Sequence, residues 1–246
     1  MDFTLLFYFL LPLVAMLYAA VGHGGASGYL ALMALFSFVP DEMKSTALIL
    51  NCFVSLIAFL SFVRKGHFNL KLFLLVSVSS VPFAFVGGML TVDADSYKKI
   101  LGLVLLFATL KLLGVFDKKK TSDESLKNIQ PYAALTIGGA IGFLSGLIGI
   151  GGGIILTPVL LLLRWTTLKE AAGISALFIF VNSLSGLAGM FTKDVVIINS
   201  IYLLIGLALF GGVIGGYFGS TKLNNQILKY VLAFVLLIAS IKLFLI

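Results

Sequence analysis

The sequence predicts an all-α integral membrane protein of two inverted repeats, each a glycine-broken helical hairpin followed by three transmembrane helices. Three observations predict it. The 246 residues are 60% hydrophobic and only 11% charged, against about 25% charge in a soluble globule. Apolar runs recur along the whole chain, and the two over-long ones each contain a cluster of glycines. The chain also lines up with itself at an offset of 127 residues.

The first repeat covers 1–116. Its opening run, 3–38, would make a helix of roughly 50 Å at about 1.5 Å per residue, against a hydrocarbon core of about 30 Å. GHGGASG, residues 22–28, divides it, which predicts a helical hairpin. The start, MDFTLLFYFL, has no basic n-region and reads as a retained segment, not a cleaved signal. Runs 45–63, 70–91 and 97–116 follow, each near the roughly 20 residues that one crossing needs. A charged segment, 117–130, containing DKKKTSDESLKN, is the linker. The second repeat covers 131–246, with a hairpin at 131–163 broken by GIGGG (149–153) and spans at 171–191, 195–219 and 226–246. VGHGGASGYLALM (21–33) matches IGIGGGIILTPVL (148–160), and ILGLVLLFATLKLL (100–113) resembles VLAFVLLIASIKLF (231–244).

Charge sets the topology. If each hairpin returns to the side it entered, each half adds three crossings, and the second copy is inverted. One face then receives Arg64, Lys65, Lys71, Lys118, Lys119, Lys120, Lys127, Arg164, Lys169, Lys222 and Lys229, and the other only Lys44, Lys98, Lys99 and Lys193. By the positive-inside rule the first face is cytoplasmic and both termini lie outside, in a multi-pass protein of the cytoplasmic (inner) membrane. The net charge of +7 therefore anchors a bilayer and implies no nucleic acid. Lys111 and Lys242 fall near span ends, where lysines snorkel, and Trp165 beside Arg164 reads as an interface anchor.

Interrupted backbone inside a bilayer survives only where protein or a cavity surrounds it. In the hairpin arrangement, 26–38 and 154–163 both begin near the midplane, approaching from opposite leaflets. Their free N–H groups and positive dipole ends suit an anion. The expected binding residues in the breaks are Gly22, His23, Gly24, Gly25 and Ser27, with Gly149, Gly151, Gly152, Gly153 and Thr157. Close helix packing is the competing use of the glycines, and the better reading for Gly211, Gly212, Gly215, Gly216 and Gly219. His23, opposite Ile150 in the alignment, either meets the ligand or holds the hairpin tip through a carbonyl. Ser27 and Thr157 either contact ligand or bond within their own helices. The following spans carry Ser45, Thr46, Asn51, Cys52 and Ser55, and Ser175, Asn182, Ser183 and Ser185. Asn51 and Asn182 sit mid-span at nearly equivalent repeat positions, for substrate contact or interhelical bonding. The single cysteine, Cys52, excludes an intrachain disulfide and reads as a small apolar filler.

Several classes are excluded by motif. No acid lies mid-span, which argues against a carboxylate relay or cation site. GxxxxGK[ST] and HExxH are absent, and GIGGG follows a helix where a dinucleotide fingerprint follows a strand. The chain is expected to be no enzyme, to hold no metal and to need no cofactor.

The duplicated motif, GHGGASG and SGLIGIGGGIILTPVL (145–160), resembles the TauE/SafE family of sulfite and organosulfonate exporters, and the resemblance extends over the whole chain. The first copy departs from the family form, with His23 between glycines and Ala26–Ser27 after them. The resemblance implies a secondary carrier for a small sulfur-containing anion such as sulfite, sulfoacetate, a related sulfonate or thiosulfate. The residues themselves reach only as far as a small anion. The expected function is export by alternating access, with an anion-selective channel and a Na⁺- or H⁺-coupled sulfonate importer as rivals. The partners are that inorganic or organosulfur anion and the lipid bilayer, and a homodimer is left open.

Overall fold

In the computed structural model, residues 3–20, 22–115, 126–193, 195–219 and 225–245 are described. They form ten α-helices in two matching series. The first is α1 (Phe3–Ala20), α2 (Ala26–Leu35), α3 (Pro40–Val63), α4 (Leu70–Met89) and α5 (Ala94–Leu112). The second is α6 (Pro131–Ile148), α7 (Gly153–Leu162), α8 (Leu168–Met190), α9 (Ile201–Gly219) and α10 (Asn225–Leu245). No strand occurs among the described residues. Most of the charged linker, including Lys118, Lys119 and Lys120, lies outside the described residues, as does Lys222.

Local chemistry explains where the long helices start. Pro40 and Pro131 stand in the first turns of α3 and α6, where the missing N–H costs nothing. Asn69 caps α4 by accepting from the Leu72 N–H, and Asp93 caps α5 by accepting from the Ser96 N–H at 2.9 Å. Thr167 and Glu170 form a capping box on α8. The short helices differ: α2 and α7 begin after Gly25 (φ 97°) and Gly152 (φ 79°), which as glycines have no side chain to offer as a cap. That left-handed backbone favours glycine.

Among the described residues, five helices, α3, α4, α6, α8 and α9, are long and apolar enough to cross a membrane. The inclusion of α6 refines the expected hairpin. Its first limb has 18 residues, about 27 Å of helix, while the returning α7 has only 10 residues. The hairpins are therefore deep and unequal-limbed. Both return to the end where they began. Phe7 of α1 stacks on Phe36 and Phe38 beyond α2, with ring centroids 5.3 and 5.1 Å apart. Ala134 of α6 shares a core cluster with Leu160 and Trp165, joined by Leu72 and Phe73 of α4. Trp165 is thus buried among helices, not anchored at the lipid interface as its neighbour Arg164 suggested.

The centre of the fold is the pair α3 and α8. They run antiparallel: Ser45 near the start of α3 donates to the Val196 carbonyl beyond α8 at 2.6 Å, while Gly173 near the start of α8 lies against the His67 carbonyl beyond α3. Around this pair, α4 packs on α6, α1 on α9 and α5 on α10, so the first helix of each series packs against the fourth of the other.

Glycines set the closeness of these contacts. Along α6, Gly138, Gly142 and Gly146 face the carbonyls of Val76, Ser80 and Ala84 on α4. Along α9, Gly211 and Gly215 face the carbonyls of Pro12 and Met16 on α1. Gly212 and Gly216 meet Val54 and Ser61 of α3, so these four have the packing role expected of them; the surroundings of Gly219 lie outside what is described. Lys242 does not snorkel: it donates to the Leu35 carbonyl at 2.8 Å and to Ser37 Oγ at 2.9 Å, closing the C-terminus of α2. The Lys111 side chain lies outside the described residues.

Gly146→Leu should separate α4 from α6, costing on the order of 1–3 kcal/mol and lowering the melting temperature of the detergent-solubilised protein. Gly206→Ala, where a new Cβ meets nothing within 4 Å, should leave it unchanged. Equal behaviour of the two variants would contradict this packing.

Candidate anion site at the helix breaks

The two breaks have nearly the same backbone. Gly22, Gly25, Gly149, Gly151 and Gly152 all have positive φ, between 72° and 97°. At each break the long helix ends, a few residues run back without helix, and a short helix begins. These stretches converge on the α3–α8 pair. A Cβ on Gly24 would meet Asn51 Oδ1 at 2.5 Å and Ile179 Cγ2 at 2.9 Å; one on Gly151 would meet Asn51 Nδ2 at 2.5 Å and Ile179 Cγ2 at 2.8 Å. Asn51 and Ile179 are each the twelfth residue of their helices. The breaks thus meet at the middle of both central helices.

Asn51 is the polar centre of this meeting. Its Oδ1 accepts from the Ala26 N–H at 3.0 Å, capping α2 from another helix, and its Nδ2 donates to Ser183 Oγ at 3.4 Å. The repeat equivalence suggested by the sequence is corrected here: the residue opposite Asn51 at the two breaks is Ile179. Asn182 lies three residues further along α8, donates to the Phe178 carbonyl at 2.8 Å, and has a buried Oδ1 without a partner among the described residues. The asparagine spacing misleads because the glycine runs contact one register of α8 and Asn182 occupies the next.

A second link joins the halves. Thr157 on α7 shares a hydrogen bond with Ser175 of α8 at 2.8 Å and another with His23 Nε2 at 3.3 Å. His23 is buried, and its own N–H donates to the Tyr18 carbonyl. Its side chain therefore reaches across to the other half. Ser27 turns back within its hairpin and donates to Tyr18 Oη at 2.9 Å, which gives it a structural role.

The supply of free backbone donors is narrower than the glycine count suggests. The Gly22 N–H donates to Ala19 and the Gly149 N–H to Ser145. Gly24, Gly25, Gly151, Gly152 and Gly153 have N–H groups with no partner among the described residues. Buried and unpaired amides of this kind are costly, and five of them at the start of two helices form a strong cradle for negative charge. Ser145 Oγ, in α6 just before the second break, is also buried and has no partner among the described residues. Tyr18, Ser145 and Ile179 are absent from the sequence-derived site; only the position of Ser145 inside SGLIGIGGG hinted at its place. No group of three or more metal-binding side chains occurs among the described residues.

Asn51→Ala should strand the Ala26 N–H and lower stability by about 1–3 kcal/mol, read as a fall in melting temperature. Ser27→Ala should cost about 0.5–1.5 kcal/mol and leave anion binding at the breaks unaltered. A Ser27 variant that folds normally but no longer binds anion would place Ser27 at the site.

Comparison with known proteins agrees with this architecture. The chain matches the family described as Sulfite exporter TauE/SafE over residues 7–243. It is 34% identical over 232 residues, 94% of each chain, to the probable membrane transporter protein y4hK of Sinorhizobium fredii. It is 30% identical over 221 residues, 82% of this chain and 81% of the other, to the probable membrane transporter protein MJ0441 of Methanocaldococcus jannaschii. With the probable membrane transporter protein YdhB of Bacillus subtilis it shares 28% identity over 225 residues, 89% of this chain and 90% of the other. No solved structure matches the chain. Breaks in two deep hairpins, spans packed around them and these relatives together make the chain a multi-pass membrane protein that belongs to the TauE/SafE sulfite exporter family of membrane transporters.

Proposed function

We propose that this transporter exports a small sulfur-containing anion, such as sulfite, sulfoacetate, a related sulfonate or thiosulfate, across the cytoplasmic membrane by alternating access. The observation that carries the reading is the convergence of both glycine breaks on Asn51 and Ile179, with unpartnered N–H groups at Gly24, Gly25, Gly151, Gly152 and Gly153. An oxyanion presents several acceptor oxygens and matches a cradle of donors from two directions. The class of anion comes from the family; the donors support a small anion.

The halves, 1–116 and 131–246, are read as inverted copies joined by the 117–130 linker, with both termini outside the cytoplasm. Positive-inside counting supports that orientation. The breaks are tightly packed against Asn51 and Ile179, so the anion enters as one hairpin moves away from the α3–α8 pair. His23 and Thr157 span the halves. Their bond is made when the halves are closed and is released to the ligand or to water on opening.

Charge favours efflux. Each negative charge leaving a negative interior gains about 2.3 kcal/mol per 100 mV, so efflux needs no coupled cation and no cofactor.

Purified protein in liposomes should carry a saturable sulfite- or thiosulfate-dependent current. Thr157→Val, which removes the hydroxyl bonded to His23 and Ser175 with little change of volume, should lower it severalfold while a folded protein is still recovered. Absence of flux for every sulfur oxyanion tested would refute the substrate class, and a fast ohmic conductance would replace the carrier by a channel.

A further inference from the structure

A cavity of about 60 Å³ opens beside the second break, between the start of α3, the end of α4 and the segment after α8. That is room for a few waters or one small oxyanion. Among the described residues, its charged lining side chains are Lys44, Lys193 and Asp41. Lys44 is buried, although it looked from the sequence like one of a few flanking charges. Its ammonium donates to the carbonyls of Gly87, Gly88 and Leu90 at 3.5, 3.4 and 3.3 Å. All three contacts are longer than the usual range of about 2.7–3.2 Å. They orient the ammonium without neutralising it, and a buried cation in that state favours an anion.

The same residue backs onto the second break. A Cβ on Gly149 would lie 3.1 to 3.2 Å from Lys44 O, Cα and Cγ. Tyr97, which also lines the cavity, donates to the Ile148 carbonyl at 2.9 Å and ties the end of α6 to the cavity wall. Lys44 is seven residues before Asn51 on α3, about 10 Å along the helix. The arrangement is one-sided. At the corresponding place beside the first break stands Ala172, whose methyl carbon is 2.6 Å from the position a Gly22 Cβ would take.

We propose that this cavity is a second anion-binding site, with Lys44 as its principal ligand and Lys193 as its outer cation. It is a station through which an anion passes between the helix breaks and the aqueous face on the Lys44 side. The site stands on the cavity and its charges; the passage rests on the transport reading above.

Two arms test it. In crystals of the full chain soaked in bromide, an anomalous peak is expected beside Lys44 Nζ, lost in Lys44→Met and kept in Lys44→Arg. A wild-type cavity with no peak, or a peak that survives in Lys44→Met, overturns the site. In liposomes with the protein in one orientation, Lys44→Met should raise the sulfite concentration for half-maximal flux about tenfold from the Lys44 side, the loss of one charged hydrogen bond. From the opposite side it should change nothing. An equal change from both sides, or none, overturns the passage. If wild-type protein moves no sulfite, the substrate reading and the passage fall together, and the bromide peak still decides the site.

Discussion

A backbone that leaves the helix inside a bilayer must find its partners within the protein. Both hairpins are built around that constraint. Helices α4, α5 and α8 are capped by residues at their own ends. The short helices start in the middle of the molecule, and α2 is capped by a side chain from another helix. The Ala26–Asn51 bond thus fixes the depth at which the first hairpin turns, and the central helix pair is placed to receive it.

Close packing follows from the same constraint. Glycines on α6 and α9 let backbone meet backbone, with carbonyls of α4 and α1 where side chains would otherwise stand. In lipid there is little hydrophobic gain between helices, so shape and close contact hold the assembly. The result is a scaffold rigid enough to hold two interrupted backbones against Asn51 and Ile179. The N–H donors those interruptions leave over have no partner among the described residues, and it is there that the proposed anion would sit.

Polar side chains divide by the geometry of the breaks. Ser27 is absorbed within its hairpin and Asn182 within its own helix on its amide side, while His23 and Thr157 cross between halves. A mid-span polar residue in sequence therefore marks a burial problem solved locally or across helices. Only the register of packing tells which. Lys44 shows the same point for charge: it sits at a helix start, where a lysine ordinarily faces headgroups, and packing turns it into a cavity.

The sequence by itself determined the membrane class, the two glycine breaks and the repeated order of helices. These are legible because hydropathy, chain length and glycine's backbone freedom act locally. Only the tertiary structure decided that α1 and α6 are long limbs, that Ile179 and not Asn182 stands opposite Asn51, that Gly22 and Gly149 spend their N–H groups at helix ends, and that Lys242 closes α2. Each of these depends on the register and rotation of one helix against another. A shift of one residue turns a helix side chain by about 100°, and no local pattern in the chain records that angle.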